Sequence, residues 1–323
     1  MKIKWQSTEK KYRKTKRPPR YKLEKTELIG LEAIQDLIEL VLWSAYVRGE
    51  RVVSLLIVAE SESGKTELMK KYRKNVGVHV RRRFTACGLI TDLTDGILPL
   101  LFNKPRILGH IMVYDFANTF TYKANSVNST IEFLDALTEE GLGKESAYWI
   151  AGEELDPYEN LKGGLIAAIN TFGFFTSSGK VKANLYKGGW FSRNLVVTFS
   201  TSQAMNSKIF ESISGGNYRY DKSFRNIIKL SLPKKRVQVI LPERYAQDLR
   251  ILASEIAETY SEDLESHTLK GFRLQKILIS LAKASALRDK RKVVMKEDID
   301  RIRYNSQWMN LKRNPLKMNY PFA

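Results

Sequence analysis

The residues of this chain with the clearest chemical potential lie together in the stretch AESESGKT, residues 59–66. The Lys65 amine can bind phosphate oxygens, the Thr66 hydroxyl can be a ligand of Mg²⁺, and Gly64 lets the backbone approach an anion closely. The stretch follows a β-branched apolar run and precedes a basic helical segment. Because a helix N-terminus offers unpaired N–H groups and the positive end of a dipole, this context suits an anion. The pattern predicts a phosphate-binding loop that includes Ser63.

Two features of this stretch depart from the usual phosphate-binding pattern. Ala59 stands at the end of the strand, where glycine is usual, although a small residue suffices there. Glu60 and Glu62 place carboxylates beside the expected phosphates. Like charges repel, so these carboxylates would weaken binding unless they point to solvent or pair with a basic neighbour. The predicted loop therefore requires one of those two arrangements.

A second candidate residue ends the apolar stretch HIMVYDF, residues 110–116. Asp115 follows Lys65 by 50 residues, a distance that fits one intervening strand and helix. An aspartate at the carboxyl end of a buried strand can bind Mg²⁺ beside a phosphate loop, either directly or through water. Lys65, Thr66 and Asp115 are therefore predicted to form one site for a nucleoside triphosphate and Mg²⁺.

The elements that must position these residues alternate between strands and helices as far as residue 240. Short apolar runs predict buried parallel strands, and amphipathic segments predict helices between them. One such helix is predicted over residues 127–141, with Asn128 or Ser129 as its N-cap. This order predicts an α/β fold with a parallel sheet flanked by helices. The predicted domains are a basic, extended arm (1–26), a nucleotide-binding α/β domain (27–240), a small all-helical lid domain (241–305) and a C-terminal tail (306–323).

The charge of the chain indicates a class of partner. Its 323 residues include 54 Lys and Arg against 35 Asp and Glu, a net charge of +19. The first 25 residues hold eleven of the basic side chains and two of the acidic ones. Such a field attracts polyanions, so we expect nucleic acid, DNA in the first place, bound through phosphates without sequence specificity. The alternatives are a solvated tail and an assembly arm that docks on a neighbouring subunit.

Composition also indicates the cellular compartment of the protein and the metal ions that it could bind. The single cysteine, Cys87, cannot form an internal disulfide and suits a reducing compartment. No apolar run approaches the ~18 residues of a spanning helix, so we expect a cytoplasmic protein without a membrane partner. His79 and His110 lack the spacing of metal ligands, and we expect them on the surface and in the core, respectively. Mg²⁺ is the only metal that the sequence predicts.

The order of the motifs resembles that of an AAA+ ATPase of the MCM- and MoxR-like branch, over roughly residues 27–305. ESESGKT resembles the Walker A loop of that family, MVYDF its Walker B strand, and LIAAINT its sensor-1 strand. GGWFSRN resembles the segment that presents an arginine finger to the next subunit, and LKGFRLQKILISLAKASALRDKRKVVMKEDI resembles the helical lid. The resemblance implies an ASCE-type P-loop NTPase fold and a site for ATP and Mg²⁺ at a subunit interface.

The resemblance also implies roles for single residues. Asn170, or Thr171 beside it, would contact the γ-phosphate or the attacking water. Arg193 would be the arginine finger, with Arg219 and Arg225 as alternatives, and Arg273 would be the sensor-2 arginine. The implied nucleotide-binding residues are Ser63, Gly64, Lys65, Thr66 and Glu67, the implied catalytic residues are Lys65, Asp115, Asn170, Arg193 and Arg273, and the implied Mg²⁺ ligands are Thr66 and Asp115.

The position after Asp115 departs from the family pattern. Family members carry a glutamate there, which polarises the attacking water, whereas this chain carries Phe116. Either another carboxylate substitutes, with Glu153 and Glu154 as remote candidates, or hydrolysis is slow and ATP serves chiefly as an assembly switch.

The function that the resemblance implies is an ATPase that assembles into a ring or filament, with a hexamer expected. It would act on DNA in replication, recombination or a mobile-element system, as a helicase-like motor or an ATP-switched assembly. Two loops are candidate contacts for nucleic acid, namely residues 141–165, which include Lys144, Tyr148 and Trp149, and residues 180–187. Two other functions stay open: a MoxR-like protein-remodelling chaperone, and an ATP-gated scaffold that recruits a nuclease or transposase.

Overall fold

A sheet of mainly parallel strands forms the centre of the computed structural model, which describes residue 23 and residues 28–142, 160–175, 185, 189–216, 226–264, 270–312 and 317–318. The strands are β1 (Leu55–Ala59), β2 (Val78–Arg81), β3 (Phe102–Asn103), β4 (Arg106–Val113), β5 (Lys162–Asn170), β6 (Leu195–Thr201) and β7 (Lys317–Met318). They run in the order β2–β4–β5–β1–β6–β7, and neighbours along this path are parallel. The two-residue strand β3 pairs antiparallel with β4.

Several sequence predictions fall outside the described residues. The basic arm does so apart from Leu23, as does the second candidate loop apart from Leu185. The others are Lys144, Tyr148, Trp149, Glu153, Glu154, Arg219 and Arg225.

The strands form because their sequences are apolar on both faces. All five residues of β1, LLIVA, are buried, and β5 is buried from Gly163 to Ile169. Continuous apolar strands are typical of parallel sheets whose two faces are both covered. The predicted α/β fold with a parallel sheet flanked by helices is confirmed at this level.

Strand β1 lies between β5 and β6 and is parallel to both. Ala59 is level with Asn170 and Phe199 at the carboxyl ends, and Leu55 is level with Leu195 at the start of β6. The chain leaves β1 toward the β2 side of the sheet but leaves β5 toward β6, in the opposite direction. In open α/β sheets, ligands bind outside the carboxyl ends of the strands at such a switch point. The topology therefore favours a ligand site beside the end of β1.

Helices connect the strands and follow the sheet along the chain. The first, α1 (Glu32–Ser44), is buried along its length apart from Glu32. The others are α2 (Lys65–Lys70), α3 (Ala86–Thr94), α4 (Ala124–Thr138), α5 (Thr171–Phe175), α6 (Trp190–Arg193), α7 (Gln203–Ser214), α8 (Glu243–Leu264), α9 (Phe272–Arg288) and α10 (Lys296–Asn305), with 3₁₀ turns at Phe116–Thr121 and Ser306–Trp308.

Helix α4 begins earlier than the sequence predicts. Its first residue is Ala124, and Lys123 occupies the N-cap position without a side-chain hydrogen bond. Asn128 and Ser129 therefore lie inside the helix, and the prediction of either as the N-cap is wrong. The Ser129 hydroxyl instead donates to the Asn125 carbonyl (2.9 Å), a back-bond that serine often makes within a helix.

A buried ion cluster joins helix α9 to helix α1. The Arg288 side chain is fully buried and donates to Asp36 Oδ1 (2.6 Å) and to Glu39 Oε2 (3.5 Å). Asn305 of α10 donates to the other Asp36 oxygen (2.6 Å), and the Tyr72 hydroxyl donates to Glu39 Oε1 (2.7 Å). Burial acts to raise the pKa of Asp36, but the charges of Arg288 and Arg301 and these hydrogen bonds outweigh it and hold that pKa below its usual value. The last helices thus pack on the first one through paired charges.

A helix that crosses a bilayer must be both long and apolar. None of the described helices, within the ranges given above, is both long and apolar enough to cross a bilayer.

Candidate functional site

The stretch that follows β1 forms a tight loop over residues 60–64. Glu62 and Gly64 have positive φ angles of 63° and 79°, which bend the backbone sharply. A Cβ atom at Gly64 would lie 3.0 Å from Leu31 Cδ1, so this glycine also permits close packing against the segment before α1. The glycine predicted to allow a close backbone approach therefore occupies a position where a side chain would be both strained and crowded.

Lys65 begins helix α2 and points back over this loop. Its side chain is largely buried, and Nζ donates to the Glu60 carbonyl oxygen (2.8 Å). Burial lowers the pKa of Lys65, and the nearby negative charge of Asp115 opposes that shift without cancelling it. Strands β1 and β4 both pair with β5 in parallel, so the lysine and the aspartate, 50 residues apart in sequence, lie at the same edge of the sheet.

Ser63 presents a polar atom without a protein partner. The residue is 5% exposed, and its Oγ finds no hydrogen-bond partner among the described residues. A buried hydroxyl without a partner is costly, since it gives up its bonds to water. An anion or an ordered water in the loop would satisfy this group, and Thr66, half-buried one residue beyond Lys65, adds a second hydroxyl.

The acidic residues of the loop do not occupy the space around Lys65. Glu60 and Glu62 are both exposed. Glu67 pairs with Lys70 on the same helix, with Oε1 2.7 Å from Nζ. The outward arrangement of the two loop glutamates is one of the two that a phosphate loop here requires.

Asp115 lies just beyond the end of β4. The residue is exposed, and its Oδ2 accepts a hydrogen bond from Asn118 Nδ2 (3.1 Å). The next residue, Phe116, is fully buried against the rings of Phe120 and Trp190, with centroids 5.2 and 6.2 Å away. The position that would carry a water-polarising glutamate is therefore part of the aromatic core.

Asn170 ends β5, the strand between β1 and β4. Its Cα is level with Ala59, so the residue lies beside the start of the loop. Its side-chain oxygen accepts from the Gly173 backbone N–H and thereby caps the short helix α5, which begins at Thr171. The structure thus brings Asn170 to the same edge of the sheet as Lys65 and Asp115. Its side-chain oxygen Oδ1 is engaged in the cap of α5.

Arg193 and Arg273 lie away from Lys65. Both bind Glu139, the residue directly after helix α4. Arg193 Nε is 2.5 Å from Glu139 Oε2, and Arg273 Nε is 2.7 Å from Oε1. Arg193 ends α6, just before β6 begins, whereas Lys65 follows the carboxyl end of β1. Since β1 and β6 are parallel and in register, the two arginines lie toward the opposite edge of the sheet from Lys65.

No sequence pattern indicates the residues that surround these arginines. Arg51 donates to the carbonyl oxygens of Thr138 (3.1 Å) and Arg193 (2.9 Å). Asp135 Oδ2 lies 3.8 Å from Arg193, and burial is the main cause that raises the pKa of Asp135 to about 7. These contacts join segments that are far apart along the chain, so no local pattern could have indicated them.

The described residues contain no group of three or more His, Cys, Asp or Glu side chains that could hold a metal ion. Mg²⁺ in phosphate sites is commonly held by one or two protein side chains together with phosphate oxygens, so Thr66 and Asp115 remain suitable ligands. The chain matches no protein-family model and no curated protein.

Proposed function

We propose that this chain is an ATPase of the AAA+ type that binds ATP and Mg²⁺ at the 60–66 loop. The observation that carries the proposal is the convergence of Lys65 and Asp115, which come from different strands to one edge of the sheet. The unpartnered, buried Ser63 Oγ beside them supports an anionic ligand, and the exposed Glu60 and Glu62 leave room for one.

The strand order supports the same proposal. β5 lies between β1, which carries the loop, and β4, which ends before Asp115. A polar residue at the end of that middle strand, Asn170, is thereby level with the loop. This is the arrangement expected if Asn170 is to act as the sensor-1 residue between the two motifs. Release of its oxygen from the cap of α5 would be needed for that role.

The residues fit the cofactors that the resemblance implies. Lys65 and Ser63 would hold phosphates, and Thr66 and Asp115 would hold Mg²⁺. The cation, when bound, would stabilise charge on the phosphate oxygens. The buried Phe116 occupies the position of the water-polarising glutamate, and the amide of Asn118, which bonds Asp115, is a poor base. This supports slow hydrolysis, with ATP acting chiefly as a switch for assembly into a ring or filament.

The experiment that tests the site is calorimetry of the full chain with Mg²⁺ and ATP. Lys65→Ala should weaken binding by about 100-fold, since a buried, charge-assisted contact of about 3 kcal/mol is lost. Lys74→Ala is the matched control, because Lys74 is a nearby but exposed lysine and should leave affinity unchanged. Equal affinity of the wild-type chain and the Lys65 variant would remove the site assignment.

A basic patch supports nucleic acid as the partner of this ATPase. Arg82 and Arg83 follow β2 and are exposed, and Tyr122 and Lys123 follow the neighbouring β4 at the same edge of the sheet. The Arg83 guanidinium lies over the Tyr122 ring, 5.8 Å from its centroid. Cationic and aromatic side chains together suit the phosphates and bases of a single strand without reading its sequence. We therefore propose DNA as partner, with the chaperone and scaffold functions as the alternatives.

A further inference from the structure

A single carboxylate joins two arginines from different parts of the chain. Glu139 accepts from Arg193 with one oxygen and from Arg273 with the other, at 2.5 and 2.7 Å. Both bonds are charge-assisted and use the Nε–H of the guanidinium, so the orientation of each planar group depends on the same carboxylate. Arg193 ends α6, and Arg273 lies in the first turn of α9. Glu139 therefore couples the sheet side of the molecule to its C-terminal helices.

Neighbouring groups keep this pair in place. Arg273 also donates to the Ser192 hydroxyl (3.1 Å), which itself donates to the Gly189 carbonyl (2.8 Å). A Cβ atom at Gly189 would lie 2.5 Å from a terminal nitrogen of Arg193, so this glycine leaves room for the guanidinium. Arg51 ties the end of α4 to the end of α6 through their carbonyls. The geometry is thus built by several segments rather than by one flexible contact.

The charge of the cluster suits an anion. Three arginines (Arg51, Arg193 and Arg273) face two carboxylates, Asp135 and Glu139. The exposed Glu132 also acts on Asp135, so the charges balance when all three carboxylates are ionised, and the cluster is net positive when Asp135, with its pKa raised to about 7, holds a proton. The Arg273 side chain is 42% exposed, so an approaching anion can reach it. Planar guanidinium groups bind phosphate oxygens in fixed geometry.

The position of the cluster decides which phosphate it can meet. The first and last residues of strand β1 are about 13 Å apart, at about 3.3 Å per residue. Arg193 lies at the amino edge of the sheet and the 60–64 loop at its carboxyl edge. An arginine bonded to Glu139 at one edge cannot also reach the loop of its own chain at the other. A phosphate that these arginines contact is therefore not one that the loop of the same chain holds.

We propose that Glu139 is a positioning residue, which couples Arg193 and Arg273 into one two-arginine unit that contacts nucleotide phosphates bound to a second copy of the chain. The proposal rests on the proposed ATPase function. It adds that the two arginines act jointly, and that a carboxylate of their own chain sets their spacing.

The test compares Glu139→Gln with the wild-type full chain in single-turnover and steady-state ATPase assays. Loss of the charge should lower kcat at least tenfold while KM stays within about twofold, because the 60–66 loop of the same chain is untouched. Glu50→Gln is the matched control, since Glu50 pairs with Lys283 on the same helix α9 (2.5 Å) at similar exposure. The control should keep wild-type kcat.

Two further measurements separate positioning from a structural role. Arg273→Ala should lower kcat at least tenfold in the wild-type background but less than about threefold in the Glu139→Gln background, since residues that act as a unit are not additive. Equimolar mixing of Glu139→Gln with Lys65→Ala should restore activity, because the first supplies an intact loop and the second supplies intact arginines. Where Glu139→Gln fails to fold, as judged by urea unfolding, Glu139→Asp replaces it with the same expectations, because the shorter side chain keeps the charge but cannot reach both arginines.

The outcomes are distinguishable. If Lys65→Ala leaves ATP binding intact, the proposed function is wrong. If Lys65→Ala weakens ATP binding as expected but Glu139→Gln behaves like Glu50→Gln, or mixing restores nothing, only the coupling is overturned. If the wild-type chain binds ATP without hydrolysing it, ATP-dependent association in the analytical ultracentrifuge becomes the readout. Glu139→Gln should then weaken association at least tenfold, and equal association would overturn the proposal.

Discussion

At the scale of single residues, His110 shows how a strand accommodates a buried polar ring. The residue is 2% exposed, and its Nε2 bonds the Val53 carbonyl oxygen (3.1 Å). Gly164 lies on β5, level with His110 on β4. A Cβ atom at Gly164 would lie 2.6 Å from the imidazole, so that glycine makes space for the ring. Burial lowers the pKa of His110 to about 4. The histidine is neutral in the folded protein and belongs to the core, as the sequence predicts.

This pKa predicts a loss of stability in mild acid. Because the folded pKa lies below the unfolded value of about 6.5, the unfolded state alone takes up a proton between these values. Stability from this residue is complete above about pH 6.5 and falls toward pH 4. Between about pH 7.5 and about pH 5 the loss should be about 2 kcal/mol.

The measurement is urea unfolding of the wild type and His110→Gln at both pH values. The free-energy gap between the two proteins should shrink by about 2 kcal/mol at the lower pH, because the variant lacks the titrating ring. The comparison of the two proteins is needed because Asp135, with its pKa raised to about 7, changes the free energy of unfolding in the opposite direction as the pH falls. That contribution is present in both proteins and cancels in the difference. A gap that does not change with pH would contradict the prediction.

At the scale of elements, helices α1 and α9 are joined by charges rather than by apolar contact alone. Arg288 lies fully buried between Asp36 and Glu39, so removal of the arginine leaves two buried carboxylates without their main cation. Arg288→Met should therefore lower the free energy of unfolding by about 3–5 kcal/mol.

The control for this variant is an exposed pair on α10. Lys296 lies 3.2 Å from Asp300, and its side chain is 76% exposed. Lys296→Met should cost less than about 0.5 kcal/mol, because water screens such pairs. Urea unfolding measures both variants. A loss below about 1 kcal/mol for Arg288→Met would mean that apolar packing alone joins the helices.

The elements also show what could be predicted from the sequence. The LLIVA strand and the Lys65 loop have local patterns, in which the types and spacing of neighbouring residues suffice. Helix α6 has four residues, little more than one helical turn, so its apolar residues cannot repeat at helical spacing and the sequence does not indicate it. The bonds of Glu139 to Arg193 and Arg273 span 54 and 134 residues. Such contacts depend on tertiary packing, which no local pattern carries.

At the scale of the whole molecule, part of the net charge of +19 lies on the described residues at one edge of the sheet. The basic patch of Arg82, Arg83, Tyr122 and Lys123 lies at the carboxyl edge of the sheet, as does Lys65. A polyanion on this patch would therefore lie near the proposed nucleotide site. Because such binding releases counterions, it should weaken as salt rises.

Fluorescence anisotropy with a single-stranded DNA oligonucleotide tests this patch. Replacement of Arg82 and Arg83 by alanine should reduce the slope of log K against log salt by about 1.4, for two lost phosphate contacts. Replacement of the exposed Arg244 and Arg250 is the control, since Arg244 also stacks on a tyrosine, with its guanidinium 4.6 Å from the Tyr245 centroid. An unchanged slope would exclude the patch, and no binding in low salt would favour the chaperone function.

The separation of the phosphate loop from the arginine cluster restricts the symmetry of any assembly that uses both. The loop lies at one edge of the sheet and Glu139 with its arginines toward the other. A two-fold dimer can use both only if the loop and the arginines lie on one face of the chain, because each loop must then meet the partner's arginines across that shared face. Head-to-tail stacking joins unlike surfaces, and it closes into a ring or continues as a helix according to the rotation at each step.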